Sequence, residues 1–315
     1  MFEGGSRMRA RPVLGFLFTA LCIAVAPAQQ VADSDFAPPI PKPAYQAGKG
    51  PTVLIDEAHH NFHTATGRYK PFADLLRRDG YVVRGSSSLF TKASLEGARV
   101  LVIANALNPR NEEDWTLPTP PAFTADEVTA VRNWVRDGGS LLLIADHMPF
   151  PGAVSTIAKA FDVTFSNGFA FPVEDQNSPI VFSRDAGALA DHAVSRGRDD
   201  TERIAKVATF TGSAFRVGKG ATPLLVFKAK VVSLEPKEAW SFDKDTKRTD
   251  VSEWCQGAVL RHGKGRVAVF GEAAMFTAQL GGPDRKPMGM NSPVAAENAR
   301  FLLNVTHWLT GLLAD

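Results

Sequence analysis

The 315-residue sequence has only two cysteines, Cys22 and Cys255. Cys22 lies in an amino-terminal apolar run, so a cleaved leader would leave Cys255 alone. One thiol excludes an internal disulfide and any cysteine-rich metal site. Charge of one sign is also lacking. Thirty-five Lys and Arg oppose 33 Asp and Glu, for a net +2. No dense basic stripe appears, which argues against nucleic acid as a partner. No Gly-x-Gly-x-x-Gly or P-loop fingerprint occurs. Ser140 and Ser155 lack the Gly-x-Ser-x-Gly setting of a serine nucleophile. Cys255 lacks a strand-turn-helix elbow around it.

Long apolar runs are absent apart from residues 13–25, which are short for a membrane span. Arg9 and Arg11 precede that run, and Ala26-Pro27-Ala28 follows with small residues of cleavage type. Residues 1–28 therefore read as a secretory signal peptide, with Gln29 as the first mature residue. A periplasmic or secreted location follows, with no membrane span after cleavage. Residues 29–49 contain the Pro-rich run 36–43 and read as an extended, poorly ordered linker. Residues 50–315 suffice for one large α/β domain.

Strand and helix patterns alternate from Thr52 onward. Apolar strands are expected at 52–55, 81–83, 99–105 and 141–145. Phe72, Leu75 and Leu76 mark one helix face. Thr124 with Glu127 forms a capping-box pattern that opens another helix, ended by Gly138-Gly139. Further patterns predict a helix over 153–161 and strands at 163–165, 206–211 and 223–227. Residues 240–254 read as an exposed loop or hairpin excursion. A late β-hairpin is expected over 257–270, and a last helix over 295–309. Strands separated by helices argue a doubly wound, mostly parallel sheet with flanking helices.

Three of the seven histidines, His59, His60 and His63, crowd the segment after the first strand. Asp56 and His59 suit metal ligation or acid–base pairing. If the chain turns helical after Ala58, His59 and His63 share one helix face at i and i+4. With His147 these residues form the expected metal set. Zinc is the foremost candidate, with manganese, iron or nickel as alternatives. The alternative is that they hydrogen-bond loop backbone and cap a helix. Asp146 and Glu272, also at strand ends, are the candidate catalytic carboxylates. His60, Asn61, Asn105 and Asn291 are candidate ligand-binding residues, with Asn291 on a loop placed to fold over the crevice as a lid. Carboxyl ends of parallel strands are where such sheets bind ligands. His192, His262 and His307 read as structural.

The segments Val53-Leu54-Ile55-Asp56-Glu57-Ala58-His59, Leu101-Val102-Ile103-Ala104-Asn105, and Gly138-Gly139 through Asp146-His147 occur in a recognisable order. So do Thr209 to Ser213, Val267 to Glu272, and Asn298 to Leu309. That order resembles the class I glutamine amidotransferase-like superfamily. More closely it resembles a secreted bacterial branch related to domains of gliding-motility and intraflagellar-transport proteins. The resemblance implies a flavodoxin-like parallel sheet. It does not imply amidotransferase activity, because Asp146-His147 stands where that chemistry needs an elbow cysteine. In relatives the domain is thought to bind ligands or partners without catalysis. Two functional expectations follow: a metal-dependent hydrolase, or a binding domain for a small polar molecule or envelope component. A third is a partner-binding domain contacting through 240–254.

Overall fold

The computed structural model describes residues 30–176 and 178–314, so the expected leader lies outside the described residues. Nine strands form the central sheet: β1 (Thr52–Asp56), β2 (Val82–Ser86), β3 (Val100–Ala104), β4 (Ser140–Ile144), β5 (Val163–Phe165), β6 (Phe215–Val217), β7 (Ala221–Val226), β8 (Cys255–His262) and β9 (Gly265–Phe270). Their spatial order is β2-β1-β3-β4-β9-β8-β6-β5, with β7 also paired to β8. The first five strands in that order are mutually parallel. The others pair antiparallel. The protein is therefore a mixed α/β protein with few helices.

Among the described residues three helices are longer than two turns: α1 (Lys70–Arg78), α2 (Ala125–Arg136) and α3 (Asn298–Thr310). Thr124 and Glu127 form the capping box the sequence announced. The helix expected over 153–161 is instead two short pieces, Phe150–Ala153 and Ser155–Lys159. Side chains along β3 alternate between two cores, as strand geometry requires. Val100, Val102 and Ala104 join one core, and Leu101 and Ile103 the other.

The β8–β9 hairpin turns through Gly263 and Lys264, with Gly263 at φ +59. Beside it, β9 passes very close to the end of α2. A Cβ added at Gly265 would lie 2.1 Å from the carbonyl oxygens of both Gly139 and Val135. Gly265→Ala should therefore destabilise the fold by about 1–3 kcal/mol through overpacking. Urea unfolding would read this as a lowered midpoint at constant slope. A wild-type midpoint would mean that the hairpin yields without cost.

The segment expected to be a poorly ordered linker is extended but docked. Val31–Ala32 adds a strand to Ala278–Gly281, which pairs in turn with Lys286–Gly289. Phe36, Ile40, Ala44 and Tyr45 pack against the main core. Composition marked the prolines, but apolar residues between them supply the burial that holds the segment down. Residues 240–254 also prove partly regular. Lys247–Asp250 pairs with Val231–Glu235, which pairs with Phe169–Pro172.

Candidate functional site

The β1 and β3 strands lie side by side, while the chain visits β2 between them, so the sheet's order reverses at their carboxyl ends. Asp56 ends β1, Asn105 follows β3, Asp146 follows β4 and Glu272 follows β9. A cavity of about 640 Å³ opens at this end, lined by His63, Asn105, Asp146, His147, Gln279 and Glu272 among others. Three of the expected strand-end residues, Asn105, Asp146 and Glu272, thus meet in one place, together with His63 and His147.

Asn105 sits at φ +50, a conformation Asn tolerates better than most residues. Its side-chain oxygen accepts the Asp146 backbone N–H at 2.9 Å. Asp146 in turn accepts the backbone N–H groups of His147 (2.8 Å) and Ala273 (3.2 Å). Glu272 accepts from Ala274 (2.8 Å) and Met275 (2.7 Å). Burial, then the nearby Asp146 charge, raises the Glu272 pKa well above the usual carboxyl range, against the pull of those amides.

His147 donates from Nδ1 to the Met148 carbonyl at 2.7 Å, the direction fixed by an acceptor-only partner. That tautomer leaves Nε2 as an acceptor. Its ring stacks on Phe169 at 4.4 Å, and burial lowers its pKa. His63 packs on Tyr69 at 4.6 Å. Burial, followed by Arg68 and His147, lowers its pKa to about 3, so the ring is neutral. Its Nδ1 is buried without a hydrogen-bond partner, as is Oε1 of Gln279.

Several expected site residues stand elsewhere. Residues 57–64 are not helical, so His59 and His63 share no helix face. Asp56 captures the Ala58 N–H, and Asn61 captures the His59 N–H at 3.0 Å. Such side-chain bonds compete with a helical turn. Asp56 does not line the cavity. Its oxygens hold His59 Nδ1 at 2.9 Å and accept from Asn61 at 2.9 Å. The far nitrogen of His59 meets Glu127 at 2.8 Å, and Phe90 and Phe123 flank the ring at 4.6 Å each. Burial opposes charge on this imidazole, but the two carboxylates outweigh it and raise its pKa. Asp56 and His59 thus form a buried pair, with both imidazole nitrogens occupied by carboxylates.

His60, at φ +46, pairs with Glu112 on a separate shallow surface with Asn61. Asn291 does not line the cavity. It donates to Asp33 and to the Gln279 carbonyl, both at 3.0 Å, and so ties the amino-terminal strand to the 278–281 strand. Among the described residues, no group of three or more His, Cys, Asp or Glu side chains is arranged to hold a metal ion.

Sequence reasoning missed the aromatic walls. Phe62, Trp115, Phe150, Phe210 and Trp240 line the same cavity. Trp115 meets Phe62 at 5.5 Å and Phe150 at 5.3 Å, edge to face. The available signal was Phe62 within the histidine-rich segment. Trp115 and Trp240 come from loops whose destination no periodicity announces. Gln30 also lines the cavity, from the docked amino-terminal segment.

No protein-family model matches the chain, and no curated protein does. Solved structures do match. The mmIFT52 N-terminal domain superposes with a TM-score of 0.57 at 15% identity, over 82% of this chain and 97% of that one. A ThuA-like protein from Bacteroides uniformis gives 0.47 at 12%, over 86% and 95%. A cytoplasmic protein from Salmonella typhimurium gives 0.48 at 12%, over 82% and 99%. At such identities the likeness concerns the fold alone. The chain shares the fold of the mmIFT52 N-terminal domain, and the turn after β4 carries Asp146-His147 with no cysteine.

Proposed function

We propose that this is an exported domain whose cavity binds a neutral, polyhydroxylated molecule of the saccharide class. The observation that carries the reading is the pairing of aromatic walls with buried polar groups in one cavity. Its polar lining offers acceptors in His147 Nε2 and Asp146, beside the Glu272 carboxyl, whose raised pKa favours the protonated, donating form. Acceptors call for hydroxyl donors, and ring faces call for C–H surface, whose positive edges meet the negative π face. A sugar ring offers both. The cavity volume falls within the range of small-molecule sites. We read the parallel half of the sheet as a flavodoxin-like, doubly wound unit of the amidotransferase-like superfamily. Without an elbow thiol, no ammonia release from glutamine is expected.

Trp115→Ala removes a wall ring that is already partly exposed, so the fold should survive. Calorimetric titration with a panel of neutral mono- and disaccharides should show affinity falling about tenfold, or ~1.4 kcal/mol. If no panel sugar perturbs the wild-type tryptophan signals, even at high concentration, the saccharide reading is wrong.

The carboxyl pair favours a second reading, hydrolysis of the bound ligand. Glu272, kept protonated by burial and Asp146, would serve as acid, and Asp146 as base. The zinc expected from the sequence finds no group of three or more ligating side chains to hold it among the described residues, so no step of this reading is routed through a metal. Turnover of a bound sugar that Glu272→Gln abolishes would support hydrolysis. Binding without turnover, with or without added zinc, would leave the domain a binder.

A further inference from the structure

The aromatic lining does not stop at the cavity mouth. Trp240 lines the cavity yet is 53% exposed, and Phe242 beyond it is 39% exposed. From His147 outward the rings form a continuous series. Phe169 stacks on His147 at 4.4 Å, Trp240 meets Phe169 at 4.6 Å, and Phe242 meets Phe169 at 5.1 Å and Phe171 at 5.9 Å. Folding gains little from leaving two large rings in water. Trp240 moreover holds φ at +68, a region bulky residues avoid. A strained backbone that displays a tryptophan at the rim of a cavity points to a use for that ring.

Resting on the saccharide reading of the cavity, we propose that the ligand is the end of an oligosaccharide chain. The terminal unit enters the cavity, and the following units lie across Trp240 and Phe242. Two features favour a sugar chain over a charged polymer. The stacking surface is made of rings, and the charges that flank it in sequence, Lys237, Glu238, Asp243, Lys244 and Asp245, are of mixed sign. Successive sugar units also present C–H faces repeatedly, which matches a row of rings.

The test uses the mature chain with two glycan ladders, glucose oligomers and N-acetylglucosamine oligomers, each from monomer to hexamer. Wild-type affinity should rise about tenfold from monomer to tetramer, equivalent to ~1.4 kcal/mol. Phe242 lies outside the cavity, so Phe242→Ala should remove most of that gain and leave monomer binding unchanged. Trp240→Gly accommodates the positive φ and should keep the melting temperature while losing affinity at every length. Monomer binding with no gain along either ladder would overturn the extended track while the cavity reading stands. Absence of binding at every length would overturn both. A length gain that survives Phe242→Ala would also refute the track.

Discussion

His59→Ala is expected to cost about 3–5 kcal/mol of stability, the range for breaking one side of a buried charged network. The substitution leaves Asp56, fully buried, and Glu127, nearly so, without their shared cation. It also opens a void between Phe90 and Phe123. The Glu127 oxygen facing His59 would keep the Phe90 N–H, and its other oxygen would keep the cap on α2. The loss should therefore appear as destabilisation centred on the β1 end, rather than loss of α2. Urea unfolding of wild type, His59→Ala and Glu127→Gln would measure it. A His59→Ala midpoint near wild type would refute the structural role.

The same pair gives a signed pH dependence. His59 titrates above its ordinary 6.5 in the folded state, so its contribution is complete below 6.5 and is lost as pH rises through the raised value. Glu127 titrates below its ordinary 4.5, so its contribution is present above 4.5 and is lost as pH falls. Between 4.5 and 6.5 both are in place. Glu272, shifted upward, adds a loss that begins above its ordinary 4.5, while His63, shifted down to about 3, adds a loss as pH falls below its ordinary 6.5, which places the maximum near 6.5. Stability should thus peak on the acid side of neutrality, and His59→Ala should flatten the alkaline decline. An alkaline decline equally steep in the variant would assign it to other groups.

Asp79→Ala is expected to cost about 3–4 kcal/mol, because it strands two buried donors at roughly 1–3 kcal/mol each. Asp79 is fully buried. One oxygen accepts the Ala44 N–H at 2.8 Å and the other meets His307 Nε2 at 2.7 Å. It thereby links the amino-terminal segment to α3. Hydrogen exchange should show protection lost selectively around residues 44–50, ahead of global unfolding. Asp79→Asn retains an acceptor for Ala44 and should recover part of the loss. Unchanged protection of the segment in Asp79→Ala would show that its apolar contacts alone hold it.

Much of the frame was legible from local rules. The apolar runs that became β1, β3 and β4, the Thr124–Glu127 cap and the β8–β9 hairpin each rest on interactions within a few residues. The convergence of Asn105, Asp146 and Glu272 was legible too, because parallel strands place their carboxyl ends together. What local pattern could not decide was which way each polar side chain turns. The histidine-rich segment reads equally as a chelating helix or a loop. Glu127, 68 residues away in sequence, claims His59, while His63 is left to face the cavity. Capping explained Glu127 fully, so nothing in the sequence advertised its free oxygen.

The sequence by itself determined the α/β alternation, the lack of a cysteine at the turn after β4, which rules out thiolate chemistry there, and the strand ends where a site would form. These follow from periodicity, composition and chain direction, which are local properties. The tertiary structure alone decided that His59 pairs with Asp56 and Glu127 away from the cavity, and that Trp115, Trp240 and Gln30 meet Asp146 and His147 around one cavity. Those outcomes depend on which distant groups compete for the same buried hydrogen bonds and apolar surface, and that competition is settled only when the chain is packed.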